Sequence, residues 1–118
     1  MITRLSPIVV FVKDFEKSLA FYRDQVGLKL AYPARHGHVG WAAFKVGGSE
    51  FCIHGGGKGN NRRSPVDVHF TVKGIRDTVR RMKAGGVRFL HPVRKMPWGH
   101  ETTFVDPSGN TFELLEPA

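Results

Sequence analysis

Cysteine is almost missing from this chain: Cys52 is the only one among 118 residues. An intrachain disulfide is excluded, so packing and hydrogen bonds must hold the fold together, as suits a reducing compartment. With no Cys-x-x-Cys pair, the usual redox and zinc-ribbon spacings are excluded as well. No apolar run approaches the roughly 20 residues that a membrane helix needs. The opening residues Met1-Ile2-Thr3-Arg4 reach a charge too early for a secretory leader. A cytoplasmic protein without a membrane segment is the expectation. Neither Gly-x-Ser-x-Gly nor a Walker-type phosphate loop occurs, which removes two common catalytic scaffolds.

Acidic residues are the second shortage. Ten Asp and Glu stand against 18 Lys and Arg, a formal charge of +8. Such a field draws in anionic small molecules or nucleic acid. The basic residues fall in short clusters, Arg62-Arg63, Arg80-Arg81 and Arg94-Lys95, without a stacking motif among them. Nucleic-acid recognition is therefore not expected, since charge alone is no footprint. What the chain does have is 41% hydrophobic residues and 14 glycines, the composition of a globular domain with many tight turns. A chain of this length buries roughly two-thirds of its unfolded surface, enough for one domain.

Shifting the chain against itself by about sixty positions brings two halves into register. Val12-Lys13 meets Val72-Lys73, Phe15 meets Ile75, Leu19 meets Val79 and Tyr22 meets Met82. With one residue of slack at a turn, Phe51-Cys52-Ile53 meets Phe112-Glu113-Leu114. Each half reads as a strand, a helix and three strands. Phe15, Leu19, Tyr22 and Val26 form a helical stripe behind Asp14 as N-cap, ending at Gly27. Ile75, Val79 and Met82 form the second stripe, ending at Gly85-Gly86, with Arg76, Arg80, Arg81 and Lys83 left to solvent. Gly47-Gly48 and Pro107-Ser108-Gly109-Asn110 mark the hairpins. The expectation is a single α+β domain over 1–118, with repeat 1 about 1–54, a linker 55–65 and repeat 2 about 66–118. The two βαβββ repeats would form a curved mixed β-sheet whose concave cleft holds a ligand.

The stretches "VKDFEKSLAFYRDQVGLKL" and "PWGHETTFVDPSGNTFELLEP" resemble the vicinal oxygen chelate superfamily of glyoxalases, bleomycin-resistance proteins, fosfomycin-resistance enzymes and extradiol dioxygenases. The resemblance covers nearly the whole chain. It implies that side chains on the first and last strands of each half converge on a divalent ion, here at Pro7, Cys52, Asp67 and Glu113. It also implies a homodimer. Pro7 has no ligating side chain, and Cys52 is a softer donor than oxygen-chelating chemistry selects. Glu113 is a hard donor in the middle of a closing strand, and a carboxylate buried there needs a partner. Strand alternation puts His69 beside Asp67 and His54 beside Cys52, so Glu113, Asp67 and His69 are the candidate metal set. The cofactor is either none or a divalent Mn, Fe, Ni or Zn.

Glu113 and His100 are the candidate catalytic groups, His100 as a general acid or base behind the Pro97-Trp98-Gly99 turn. Trp98, His54, His69 and Cys52 are the candidate ligand contacts. Trp98 offers an aromatic cover, while Trp41, in the matching place of the first half, reads as core. Cys52, between Phe51 and Ile53, reads more readily as a small buried residue than as a reactive thiol. His36 and His38 have a His-x-His spacing, weak grounds for zinc on a glycine-rich loop. Three functions stay open: a bleomycin-resistance-like protein that binds or sequesters a small molecule without a complete metal site, a metal-dependent glyoxalase-like lyase or dioxygenase, and an interaction protein. The gap at Pro7 favours the first. Cationic drugs would be repelled by the net charge unless Asp67 and Glu113 make the cleft acidic, so an anionic or neutral metabolite is the expected ligand.

Overall fold

Val9 and His69 occupy the same place in the two halves, and each starts a parallel pairing with the strand that closes its half. In the computed structural model, which describes residues 1–5, 7–37, 39–61, 64 and 66–118, β1 (Ile8–Phe11) runs parallel to β4 (Ser49–His54) with Val9 opposite Cys52. In the second half β5 (His69–Thr71) runs parallel to β9 (Thr111–Pro117) with His69 opposite Glu113. The repeat is thus the same pairing made twice. His38 and Pro65 lie outside the described residues. The chain forms two compact units, Met1–Gly59 and Asn60–Ala118.

In the first unit the sheet order is β1-β4-β3-β2, with β2 at Lys29–Leu30 and β3 at Trp41–Val46. Helix α1 (Phe15–Ala20) starts where expected, the Asp14 carboxylate accepting from the Lys17 backbone N–H at 3.1 Å. It continues as a π-helix over Phe21–Val26 and stops at Gly27, whose φ of 88° suits glycine. The wider π turn lets the adjacent Phe21 and Tyr22 both turn inward, their rings edge-on at 5.0 Å. Tyr22 is fully buried against Phe51 and Phe44 at 5.1 and 6.1 Å. Burial of one such ring contributes on the order of 2–3 kcal/mol. Phe51 and Ile53 therefore face the helix, and alternation turns Cys52 and His54 to the other side.

In the second unit the order is β5-β9-β8-β6, with β6 at Arg88–Phe89 and β8 at Gly99–Val105. A further short strand, β7 (Arg94–Met96), pairs with β8, so four strands follow the helix where the sequence pattern predicts three. Helix α2 (Ile75–Ala84) buries Ile75, Val79 and Met82 as predicted. Beneath it Phe104 lies 5.4 Å from Phe112 and 6.2 Å from Phe70. The β8–β9 turn is held by buried Asp106, whose Oδ1 accepts from the Ser108 and Asn110 backbones at 2.9 and 2.8 Å. The segment read as a linker is tied at both ends: Gly57 packs on Phe11, and Asn61 exchanges hydrogen bonds with the Thr111 backbone at 2.6 and 3.0 Å. Among the described residues no helix is long and apolar enough to cross a membrane.

The two helices are capped differently. The counterpart of Asp14 is Gly74, which has φ 68° and no side chain to offer. Glu116 on β9 supplies the cap instead, accepting from the Gly74 and Ile75 N–H groups at 2.7 and 3.2 Å. These two bonds, and to a lesser degree the nearby His100, hold the Glu116 carboxyl below the usual carboxylate range. A depressed folded value stabilises the fold fully above the unfolded value of about 4.3 and is lost as pH falls through the folded one. The urea midpoint of the wild type is expected to exceed that of Glu116→Gln near neutrality, the gap closing as the pH is lowered toward about 3. A gap that stays constant over that range refutes the charge as its cause.

Candidate functional site

The face of the first sheet turned away from α1 is aromatic. His54 at the end of β4 lies 5.1 Å from the Phe11 ring and 6.1 Å, edge-on, from Trp41. Its Nδ1 is 2.6 Å from the Gly55 carbonyl oxygen. A carbonyl can only accept, so Nδ1 carries the proton and a neutral ring presents Nε2 as an acceptor. Trp41 donates its indole N–H to the Tyr32 hydroxyl at 2.6 Å. Arg35 exchanges both backbone hydrogen bonds with Trp41, at 2.9 Å each, and its guanidinium lies 5.9 Å from the Tyr32 ring centre. Together Arg35, Gly37, Val39, Gly40, Trp41 and His54 line a cavity of about 330 Å³.

The corresponding face of the second sheet is acidic. Both oxygens of Glu113 accept from the Thr103 hydroxyl, at 3.1 and 3.0 Å. The two residues are direct cross-strand partners. His91 approaches the same hydroxyl with Nε2 at 3.1 Å while its Nδ1 faces the Pro92 carbonyl at 2.9 Å. One hydroxyl proton is thus offered to three acceptors unless His91 itself carries a second proton. Two residues along β8, Glu101 is 7% exposed, accepts from Trp98 Nε1 at 3.2 Å and has the Arg94 guanidinium at 3.5 Å. Such pairing is what a nearly buried carboxylate requires.

The residues expected from the sequence divide between these faces. Glu113 is half-buried, and Thr103 is its partner. His69 stands opposite Glu113 in the ladder, exposed, and Asp67 is exposed just ahead of β5. Trp98 lies in the β7–β8 turn, 54% exposed. His54 belongs to the aromatic face, where Trp41, read as core, is only half-buried.

The remaining two candidates are Cys52 and His100. Cys52 is fully buried, in keeping with a small packed residue, and burial, helped by Glu50, pushes its thiol up. His100 shares its side of β8 with Thr102 and Phe104 and pairs with Glu116, so it faces the start of α2, in a hollow of about 260 Å³ with Gly74 and Arg76. Alternation puts it on the opposite side from Glu101, Thr103 and Glu113.

The metal set Glu113, Asp67 and His69 does not assemble: among the described residues no three His, Cys, Asp or Glu side chains come close enough to hold an ion. The donor chemistry agrees. Pro7 offers no donor and Cys52 is buried. These residues do not fit an oxygen chelate.

His91, Thr103 and Glu101 were not singled out from the sequence. The repeat carried the signal for Thr103, since the ladder positions Ala43 and Cys52 of the first unit become Thr103 and Glu113 in the second. A paired exchange of small apolar residues for a hydroxyl and an acid marks a polar site.

The family model of the Glyoxalase/Bleomycin resistance protein/Dioxygenase superfamily matches residues 4–114. The uncharacterized protein YetH of Bacillus subtilis (strain 168) is 28% identical, over 98% of this chain and 100% of its own length. Among solved structures, a mutant of the genomically encoded fosfomycin resistance protein FosX from Listeria monocytogenes, complexed with Mn(II) and 1S,2S-dihydroxypropylphosphonic acid, is 26% identical. It superimposes with a TM-score of 0.79 over 100% of this chain and 95% of that one. A glyoxylase/bleomycin resistance protein/dioxygenase domain from Frankia sp. EAN1pec, 20% identical, gives 0.78 over 100% of both chains and speaks for the fold.

Proposed function

We propose, from the premise that this chain belongs to the glyoxalase/bleomycin resistance protein/dioxygenase superfamily, that it binds a small organic molecule on the sheet faces its helices leave free. It does so without the metal chelate of its metal-dependent relatives. The observation that carries the reading is the cavity of about 330 Å³ walled by Trp41 and His54. That volume is at the lower end of small-molecule sites, and aromatic walls supply contact area at little entropic cost. Glu113, with Thr103 and His91, would be a polar patch of the second unit's own sheet rather than a ligand to an ion.

The rival reading is a metalloenzyme, favoured by the Mn(II) held by the FosX relative and by Glu113 itself. The experiment that separates them is metal analysis of protein purified without chelators, beside the same measurement on Glu113→Ala. Substoichiometric metal in both, with saturable binding of organic ligands, is the expected result. Stoichiometric Mn, Fe, Ni or Zn that disappears in Glu113→Ala would overturn it.

A further inference from the structure

The cavity of the first unit also says what kind of molecule belongs in it. Two of its walls are flat rings: Trp41 and His54 meet edge-on at 6.1 Å. Its rim carries one full charge, Arg35. Among the described residues no carboxylate pairs with that guanidinium, which lies over the Tyr32 ring, 5.9 Å from its centre. An arginine without a carboxylate partner keeps its fork of N–H donors for a planar anion. The backbone bonds between Arg35 and Trp41 fix the distance between charge and aromatic wall. His54 adds an acceptor, since its Nδ1 proton is committed to the Gly55 carbonyl and Nε2 is left for the ligand.

We infer that this cavity takes a planar aromatic carboxylate, with the carboxylate on Arg35 and the ring along Trp41 and His54. A ring hydroxyl, where present, donates to His54 Nε2. The inference rests on the small-molecule-binding reading above and narrows it to one chemical class. Three features converge on it: a guanidinium that no carboxylate of the described residues pairs with, a right-angled aromatic wall and a histidine held in one tautomer. The +8 charge of the chain favours the same sign of ligand at longer range.

The test uses 4-hydroxybenzoate, benzoate, benzamide and cyclohexanecarboxylate as probes on the full chain, followed by titration of the Trp41 indole and His54 ring resonances. The two aromatic carboxylates are expected to shift both residues saturably, and 4-hydroxybenzoate to bind more tightly than benzoate. Benzamide and cyclohexanecarboxylate should each bind at least tenfold more weakly, testing charge and ring separately. Arg35→Gln, an exposed change whose pairing with Trp41 runs through the backbone, should weaken benzoate at least tenfold. A fold check by the dispersion of the remaining resonances separates this from unfolding. Equal binding of benzamide and benzoate, or benzoate binding unchanged in Arg35→Gln, overturns the ligand class while leaving small-molecule binding intact. Stoichiometric metal that follows Glu113 overturns the underlying reading instead.

Discussion

Replacing Gly55 with alanine is expected to cost the protein about 3 kcal/mol of stability, at the upper end of what overpacking usually does. A methyl group there would fall onto the Val39 carbonyl oxygen, 2.9 Å from its carbon and 3.2 Å from the Phe15 Cβ. Neither neighbour is the loose end of a side chain. Backbone on one side and the first turn of α1 on the other leave no cheap way to yield. Gly55 also donates to the Gly40 carbonyl at 3.0 Å and accepts from His54, so one residue ties the Arg35–Trp41 loop to the end of β4. Moving it would carry the cavity wall with it, and benzoate binding should fall along with stability. Gly48→Ala is the control. It has open space around its Cβ position and no positive φ, so a change within about 0.5 kcal/mol is expected from urea unfolding. A Gly55→Ala cost no larger than that of Gly48→Ala would refute the packing account.

The elements of the fold were legible because their signals are local and repeated. Asp14 before a stripe and Gly27 after it are statements about backbone hydrogen bonds that a sequence makes directly. The same offset of about sixty residues relates the two parallel pairings, Val9 with Cys52 and His69 with Glu113. Two features escaped for physical reasons. The π-helix over Phe21–Val26 preserves a helical pattern of apolar residues while changing which of them turn inward, and only packing reveals it. Glu116 caps a helix about forty residues earlier in the chain, a contact that no local motif encodes.

The candidate site was less legible than the fold. Alternation correctly separated Cys52 and His54 from Phe51 and Ile53, but not which of the two is accessible, because that depends on the neighbours across the ladder. Tiny Ala43 beside Cys52 accompanies full burial. Trp41 beside His54 builds a wall. The side taken by His100 was not legible because a loop signal gives no parity; once Gly99 begins β8, the side of every following residue is fixed.

Thr103→Val is expected to destabilise the protein by about 1–2 kcal/mol, although valine matches threonine in shape. The loss is that of the one hydroxyl shared by Glu113 and His91, leaving a half-buried carboxylate without its donor on that strand. The informative measurement is the cycle with Glu113→Leu. Removing both partners eliminates the carboxylate's unmet demand and leaves only the half-buried His91 without the hydroxyl, so the double variant should be no less stable than Thr103→Val alone. The coupling between the two positions should be roughly 1 kcal/mol. Glu113→Leu alone should be the milder single change, because the Thr103 hydroxyl keeps His91 as an acceptor. Strict additivity in urea unfolding would mean that the carboxylate is satisfied elsewhere, by water or by an ion. Coupling has the opposite consequence. A carboxylate whose stability depends on Thr103 is held by the sheet itself.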